Sequence, residues 1–261
     1  MKNEPVAAYN PNPGLFLLWE ISFFPKSAHY SIIFFMTERP AAKIRYLAAS
    51  SGMVGTAVMG LGMLLTALAY RGVESQRYSL TNHFVSELGE LGVSEWAPVF
   101  NWSLIIGGIL TTIFMIYLAS QIDHWLKYPL GLISVFSTIN GALVGVYPMN
   151  DLEPHIRVAM RFFNLGMLTT FLYSLVFLFN SRHPFPRWLA IPGFVNALTF
   201  AWFLYFPAET PTEPSFDQGM AGLLTNRPDY IPLALLEWVV ILGILFWVFL
   251  LAVYLLRLRA E

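Results

Sequence analysis

The chain of 261 residues contains no cysteine. It can therefore form no disulfide and offers no thiolate nucleophile or metal ligand, and it says nothing of a redox compartment. Charge is scarce too: 12% of residues are Asp, Glu, Lys or Arg, about half the ~25% of an average soluble domain. A net charge of -1 supplies no basic surface for nucleic acid. Walker, zincin and nucleophile-elbow patterns are missing, which removes the best-marked routes to nucleotide, zinc-peptidase and serine-hydrolase chemistry.

What the chain has in quantity is apolar sequence, 56% of all residues. Several runs reach the ~20 residues needed to cross a bilayer. They predict six spans, at about 47–70, 96–120, 128–147, 156–180, 188–206 and 231–256. The expected fold is all-α: a six-transmembrane helical bundle over 47–256, followed by a short tail at 257–261 and without a linker that would divide it. Residues 1–46 stand apart. Their apolar stretches, Gly14 to Phe24 and Ser31 to Met36, are too short to span, and their order is not that of a signal peptide. Two readings stay open: an interfacial segment carrying Trp19, or an upstream extension of a chain starting at Met36.

Basic residues set the expected orientation. With the N-terminus in the cytoplasm, ten Lys and Arg lie inside and five outside (Arg71, Arg77, Arg157, Arg161, Arg227), which favours both termini inside. The expected location is the plasma (inner) membrane. Small residues at Gly52, Thr56 and Gly60 in the first span, and at Gly141 and Gly145 in the third, predict close helix contacts. No span carries a periodic polar stripe, which argues against a channel.

The chemistry concentrates in Asn82-His83-Phe84-Val85-Ser86-Glu87-Leu88-Gly89-Glu90-Leu91-Gly92. Read as a short helix, it puts His83, Ser86, Glu87 and Glu90 on one face and Phe84, Leu88 and Leu91 on the other. Asn82 suits its start, and Gly89 or Gly92 a left-handed end. It is expected to lie on the outer membrane surface, polar face up. Across that surface lies Val146 to Arg157, with Pro154 suited to the first position of helix four and His155 in its first turn.

Three readings of these stretches compete. His83, Glu87 and His155 could ligate a divalent metal, or serve with Ser86 in acid–base catalysis. Alternatively, His83, Arg157 and Arg161 could hold a lipid phosphate while Ser86 and Asn150 bond the rest of the headgroup. In the third reading, these groups and Asp151 only cap helices and pair with each other. Deeper in the bundle, Arg161 and Glu237 lie at equal depth with opposite charge, which predicts an ion pair between spans four and six.

The segments His83-Phe-Val-Ser-Glu-Leu-Gly89, Val99-Phe-Asn-Trp-Ser-Leu104 and Gly145-Val-Tyr-Pro148, with His155 following, resemble the prokaryotic multi-pass family called Domain of Unknown Function 998. More distantly, Val85-Ser86-Glu87-Leu88-Gly89 and Phe100-Asn101 are similar to motifs of eukaryotic FRAG/DRAM-like six-span proteins. The resemblance covers about residues 45–256. The long loop 207–231, and Trp238 where a basic residue would follow Glu237, depart from the pattern. The prokaryotic family implies no activity, whereas the eukaryotic one implies lipid remodelling, lipid distribution or trafficking. The expected role is thus a lipid-associated membrane protein with an outer headgroup site. The alternatives are a metal- or acid–base-dependent hydrolase or transferase acting on lipid, and an accessory subunit of a larger membrane complex.

Overall fold

The computed structural model describes residues 26–73, 75–205 and 227–258, with side chains from residue 42 onward. The readings of 1–46 fall largely outside those residues, as do Glu74, Glu209, Glu213, Asp217 and the last residues of the tail. The chain divides into two compact units, Met1–Pro40 and Ala41–Glu261.

The elements are α1 (Lys26–Ala69), α2 (Ala97–Ser120), α3 (Lys127–Val146), α4 (Leu152–Phe179), α5 (Ala190–Tyr205) and α6 (Pro232–Arg257), with 3-10 turns at Val85–Gly89 and Arg187–Leu189. Six helical segments are long and apolar enough to cross a membrane, the first beginning at Ala42 within α1 and the fifth joining the Arg187–Leu189 turn to α5. There is no strand among the described residues. The sides of α2 show why it suits a membrane. Trp102, Ile106, Ile109, Ile113 and Ile116 are exposed along one side, while Gly107, Gly108, Thr111, Phe114 and Leu118 are buried along the other. A helix that shows isoleucine outward and small or aromatic residues inward needs lipid outside and helices inside.

Each helix from α2 to α6 packs on the next in chain order. Helix α1 meets both α2 and α6, since a Cβ on Gly52 would strike Phe114 and Ala252. The bundle therefore closes on itself. Helices α1 and α2 also meet backbone on backbone: a Cβ on Gly55 would lie 2.9 Å from the Gly107 carbonyl oxygen, and one on Gly107 2.7 Å from that of Gly55. Gly141 and Gly145 meet Phe162 and the Asn101 backbone as the small-residue reading expects, whereas Gly60 has nothing within 4 Å and takes no part.

The loops gather at two ends. At one, Leu91 exchanges two hydrogen bonds with the Asn150 side chain, and the Ile231 N–H donates to the Thr81 carbonyl at 2.7 Å. At the other, the Asp123 N–H donates to Arg182 and the Tyr254 hydroxyl to Pro184. Helix α4 starts at Leu152, earlier than expected, so Pro154 is its third residue rather than its first. The position still suits proline, because the first N–H groups of a helix lack intrahelical partners.

Candidate functional site

The 82–92 stretch is not a surface helix with its polar face up. It folds into the end of the bundle around a short 3-10 turn, and residues of both expected faces are buried: Phe84 and Leu88, but also His83 (2% exposed) and Glu87 (1% exposed), while Ser86 and Glu90 are half-buried and Leu91 is exposed. A carboxylate so deeply buried needs strong partners. Glu87 accepts two hydrogen bonds from Arg227, Nη1 to Oε1 at 3.1 Å and Nη2 to Oε2 at 2.6 Å. It also takes the Phe84 N–H at 2.8 Å, reaching back over its own turn. Arg227 donates further to the Asn82 carbonyl. Burial alone would lower the Arg227 pKa, but hydrogen bonds and charge from Glu87 outweigh it and leave the guanidinium raised.

Aromatic residues surround this pair. The Tyr78 hydroxyl donates to the Phe84 carbonyl at 2.8 Å and accepts from Trp238 Nε1 at 2.9 Å. The Tyr78 phenol is held well above its usual range, first by burial and then by Glu237. Tyr70 is pushed up to about 12, first by burial and then by Glu87, so both tyrosines stay neutral donors at ordinary pH. His83 Nδ1 lies 2.7 Å from Asn82 Oδ1 and 3.3 Å from the Ser79 nitrogen. Its ring packs against Tyr70 and Tyr78, and its Nε2 has no hydrogen-bond partner. Burial lowers the pKa of this imidazole, with Glu87 opposing. Gly92, at φ +85°, supplies the left-handed turn that follows.

Glu237 does not pair with Arg161. Its Oε2 accepts the Val85 N–H at 2.7 Å. Arg161 is exposed on α4. The physical reason is that the 3-10 turn descends far enough to bring its own Val85 N–H to the carboxylate. Arg157 pairs with Glu153 one helical turn away, both exposed, and Asp151 is an exposed residue preceding α4. No hydrogen bond or ion pair among the described residues joins His83, Glu87, Arg157 or Arg161 to His155. Among the described residues, no group of three or more His, Asp or Glu side chains is placed to hold a metal.

The structure does bring together Ser86, His155 and Glu237. All three line a cavity of about 100 Å³ inside the bundle, with walls otherwise made of apolar and small residues of α1, α2, α3, α4 and α6, among them Met59, Leu104, Phe162 and Leu245. The same three also line a second cavity of about 50 Å³, bounded by Met149, Leu152, Phe203 and Leu233. Ser86, His155 and Glu237 are therefore the polar residues common to both. His155, 5% exposed, has Nδ1 at 2.7 Å from the Tyr147 carbonyl oxygen. A carbonyl only accepts, so Nδ1 carries the proton and the neutral ring keeps a lone pair on Nε2.

Sequence reasoning found Ser86, Glu87, His155 and Glu237 but missed Tyr78, Asn82 as a partner of Arg227, and Arg227 as the counter-charge. Arg227 had a usable signal: a lone cation a few residues before the sixth span, at the membrane level of Glu87. Trp238, which stands out as a departure from the family pattern, is the donor to Tyr78.

No curated protein and no solved structure matches the chain, so the similarity to FRAG/DRAM-like proteins gains no support there. A family model does match, over residues 57–254. That range runs from α1 to near the end of α6 and contains the turn, the ion pair, the smaller cavity and all of the larger cavity's lining except Thr56, so the chain belongs to the family described as protein of unknown function (DUF998).

Proposed function

We propose that this integral membrane protein binds a lipid or other amphiphile inside its bundle. The apolar chain would occupy the cavity, and the polar end would meet Ser86, His155 and Glu237. The observation that carries this reading is the cavity itself, apolar along its walls and polar where it meets the second one. An apolar cavity of ~150 Å³ accepts a benzene-sized guest, so these two have room for a stretch of chain rather than a whole lipid. This reading replaces the surface headgroup site: the three polar residues stay, while the arginines meant for a phosphate do not line the cavities. The FRAG/DRAM-like motifs support a lipid role by analogy alone. The basic-residue count supports both termini in the cytoplasm and the turn at the outer face of an inner membrane.

Native mass spectrometry of the protein released from lipid nanodiscs tests the reading. A retained amphiphile is expected on the natural chain. It should be lost in Ala159→Phe, because Ala159 lines both cavities. Equal retention by both proteins would refute the proposal.

A second reading, acyl transfer or hydrolysis, is favoured by one observation: the His155 Nδ1–H is held by a carbonyl in a cavity that Ser86 shares. Such an orienting bond is what a general base requires. Covalent labelling of Ser86 by a fluorophosphonate, abolished in His155→Gln, would support it. Absence of labelling under conditions that label a serine hydrolase would remove it.

A further inference from the structure

The donor and acceptor inventory of the polar end narrows the ligand class, on the assumption that the cavity binds an amphiphile. His155 has committed its one neutral N–H to the Tyr147 carbonyl at 2.7 Å, and what it presents at Nε2 is a lone pair. Glu237, 7% exposed, is an acceptor when ionised. The Val85 N–H takes one of its acceptor sites, so capacity to accept remains. The Ser86 hydroxyl has no hydrogen bond to another described residue and can serve either way. Among the described residues, no cation lines either cavity to balance this set. Arg227 is bound to Glu87, Arg157 pairs with Glu153, Arg161 is exposed, and none of the three lines either cavity.

We infer that the ligand enters polar-end first with a hydrogen-bond donor, a hydroxyl or an amine on an apolar chain, and that phosphate- and carboxylate-headed amphiphiles are excluded. An anion placed here would meet a histidine lone pair and no cation in the lining, and would shed its water for little return. A hydroxyl can donate to His155 Nε2 or Glu237 while accepting from Ser86. An amine can donate to all three. The selectivity is thus one of sign and hydrogen-bond direction, set by the lack of a cation in the cavity lining and by the His155 lone pair.

The experiment uses four probes with one chain length: hexan-1-ol, hexylamine, hexyl phosphate and hexanoate. Each is titrated calorimetrically into the full-length protein in nanodiscs, with empty nanodiscs subtracted. Hexanol or hexylamine should bind at least about tenfold tighter than either anion, the factor that one unmatched buried polar contact of ~1.4 kcal/mol produces. Preference for the amine over the alcohol would identify the charged head as the natural source, and the reverse order the neutral one. Ser86→Ala and His155→Phe should narrow the gap between donor-headed and anionic probes, and the probe series on the natural protein decides the matter even if a variant fails to fold. Anionic probes that bind as well as the alcohol would overturn this inference and leave the amphiphile cavity standing. If none of the four binds, the cavity reading fails and this inference fails with it.

Discussion

Ser86 and Glu87 are neighbours in the chain, yet the polar groups around them are organised in opposite ways. Around Glu87 the bonds are made. Its carboxylate takes three donors from Arg227 and Phe84, and Arg227 goes on to the Asn82 carbonyl. Around Ser86 they are left open: the serine hydroxyl, a histidine nitrogen and part of a carboxylate border cavities that no protein group fills. A satisfied buried network fixes a structure, whereas an unsatisfied one at a cavity is a place for something else. The same turn supplies both, because residues on opposite sides of a 3-10 turn face different parts of the bundle.

If the comparison is right, damage to the closed side should appear as lost stability, and damage to the open side mostly as lost binding. The largest effect is expected at the ion pair. Arg227→Met leaves the Glu87 carboxylate buried with one backbone partner, at a cost of about 3–5 kcal/mol in chemical unfolding, and adding Glu87→Met should recover much of it. A double variant no more stable than the single one would show that the bonds matter separately rather than as a pair. Next comes Glu237→Met, which orphans the Val85 N–H and should cost about 1–3 kcal/mol. Unlike Arg227→Met, it should also flatten the selectivity among the four hexyl probes.

A smaller effect depends on pH. The His83 pKa is depressed by burial, so the folded protein keeps the ring neutral where the unfolded chain begins to protonate it. The stability this contributes is complete above the unfolded value of ~6.5 and is lost as pH falls below it. Glu90, raised by burial and then by Glu87, acts with the opposite sign at lower pH. The measurement is therefore a difference: the melting temperature of the natural protein should drop more between pH 7.5 and 5.5 than that of His83→Phe. Parallel curves would mean that the imidazole is not held neutral. The smallest effect is expected at Arg161, where exposure predicts that Arg161→Gln changes stability by less than about 0.5 kcal/mol. A cost near that of Arg227→Met would restore the ion pair with Glu237 that the geometry denies.

The six helices were legible because membrane spans depend on length and apolarity, which sequence displays directly. From α2 to α6 their boundaries agree with the structure to within about four residues at each end; α1 ends at Ala69 as expected, but its helix begins at Lys26, well before the expected start near Leu47. The depth of Glu237 was legible for the same reason. Its partner was not, because depth fixes how far a residue lies along a helix but not what a loop brings to meet it. The reading of 82–92 failed on one assumption, that polar residues on a short helix point to water. His83 and Glu87 point inward because Asn82, Tyr78 and Arg227 are waiting there, and two of those three come from outside the stretch. The Ser86–His155–Glu237 grouping could be glimpsed as a list of polar residues. Its meaning lay in the cavity, whose walls come from five different helices.

The bonds that hold the turn also carry information about time. Val85 reaches Glu237 across 152 residues, and Glu87 reaches Arg227 across 140. A ribosome finishes α1 and the turn long before either partner exists. Until α6 has entered the membrane and the chain has doubled back, Glu87 has none of its native counter-charge, and it is most stable left in water. The native partners of the turn are complete only once the segment carrying Arg227 and Glu237 has arrived. Contacts this distant in sequence form slowly. The ion pair is thus a late step of folding as well as a fixture of the finished fold, and a chain cut short before α6 would show its incompleteness as an unpaired carboxylate at the membrane surface.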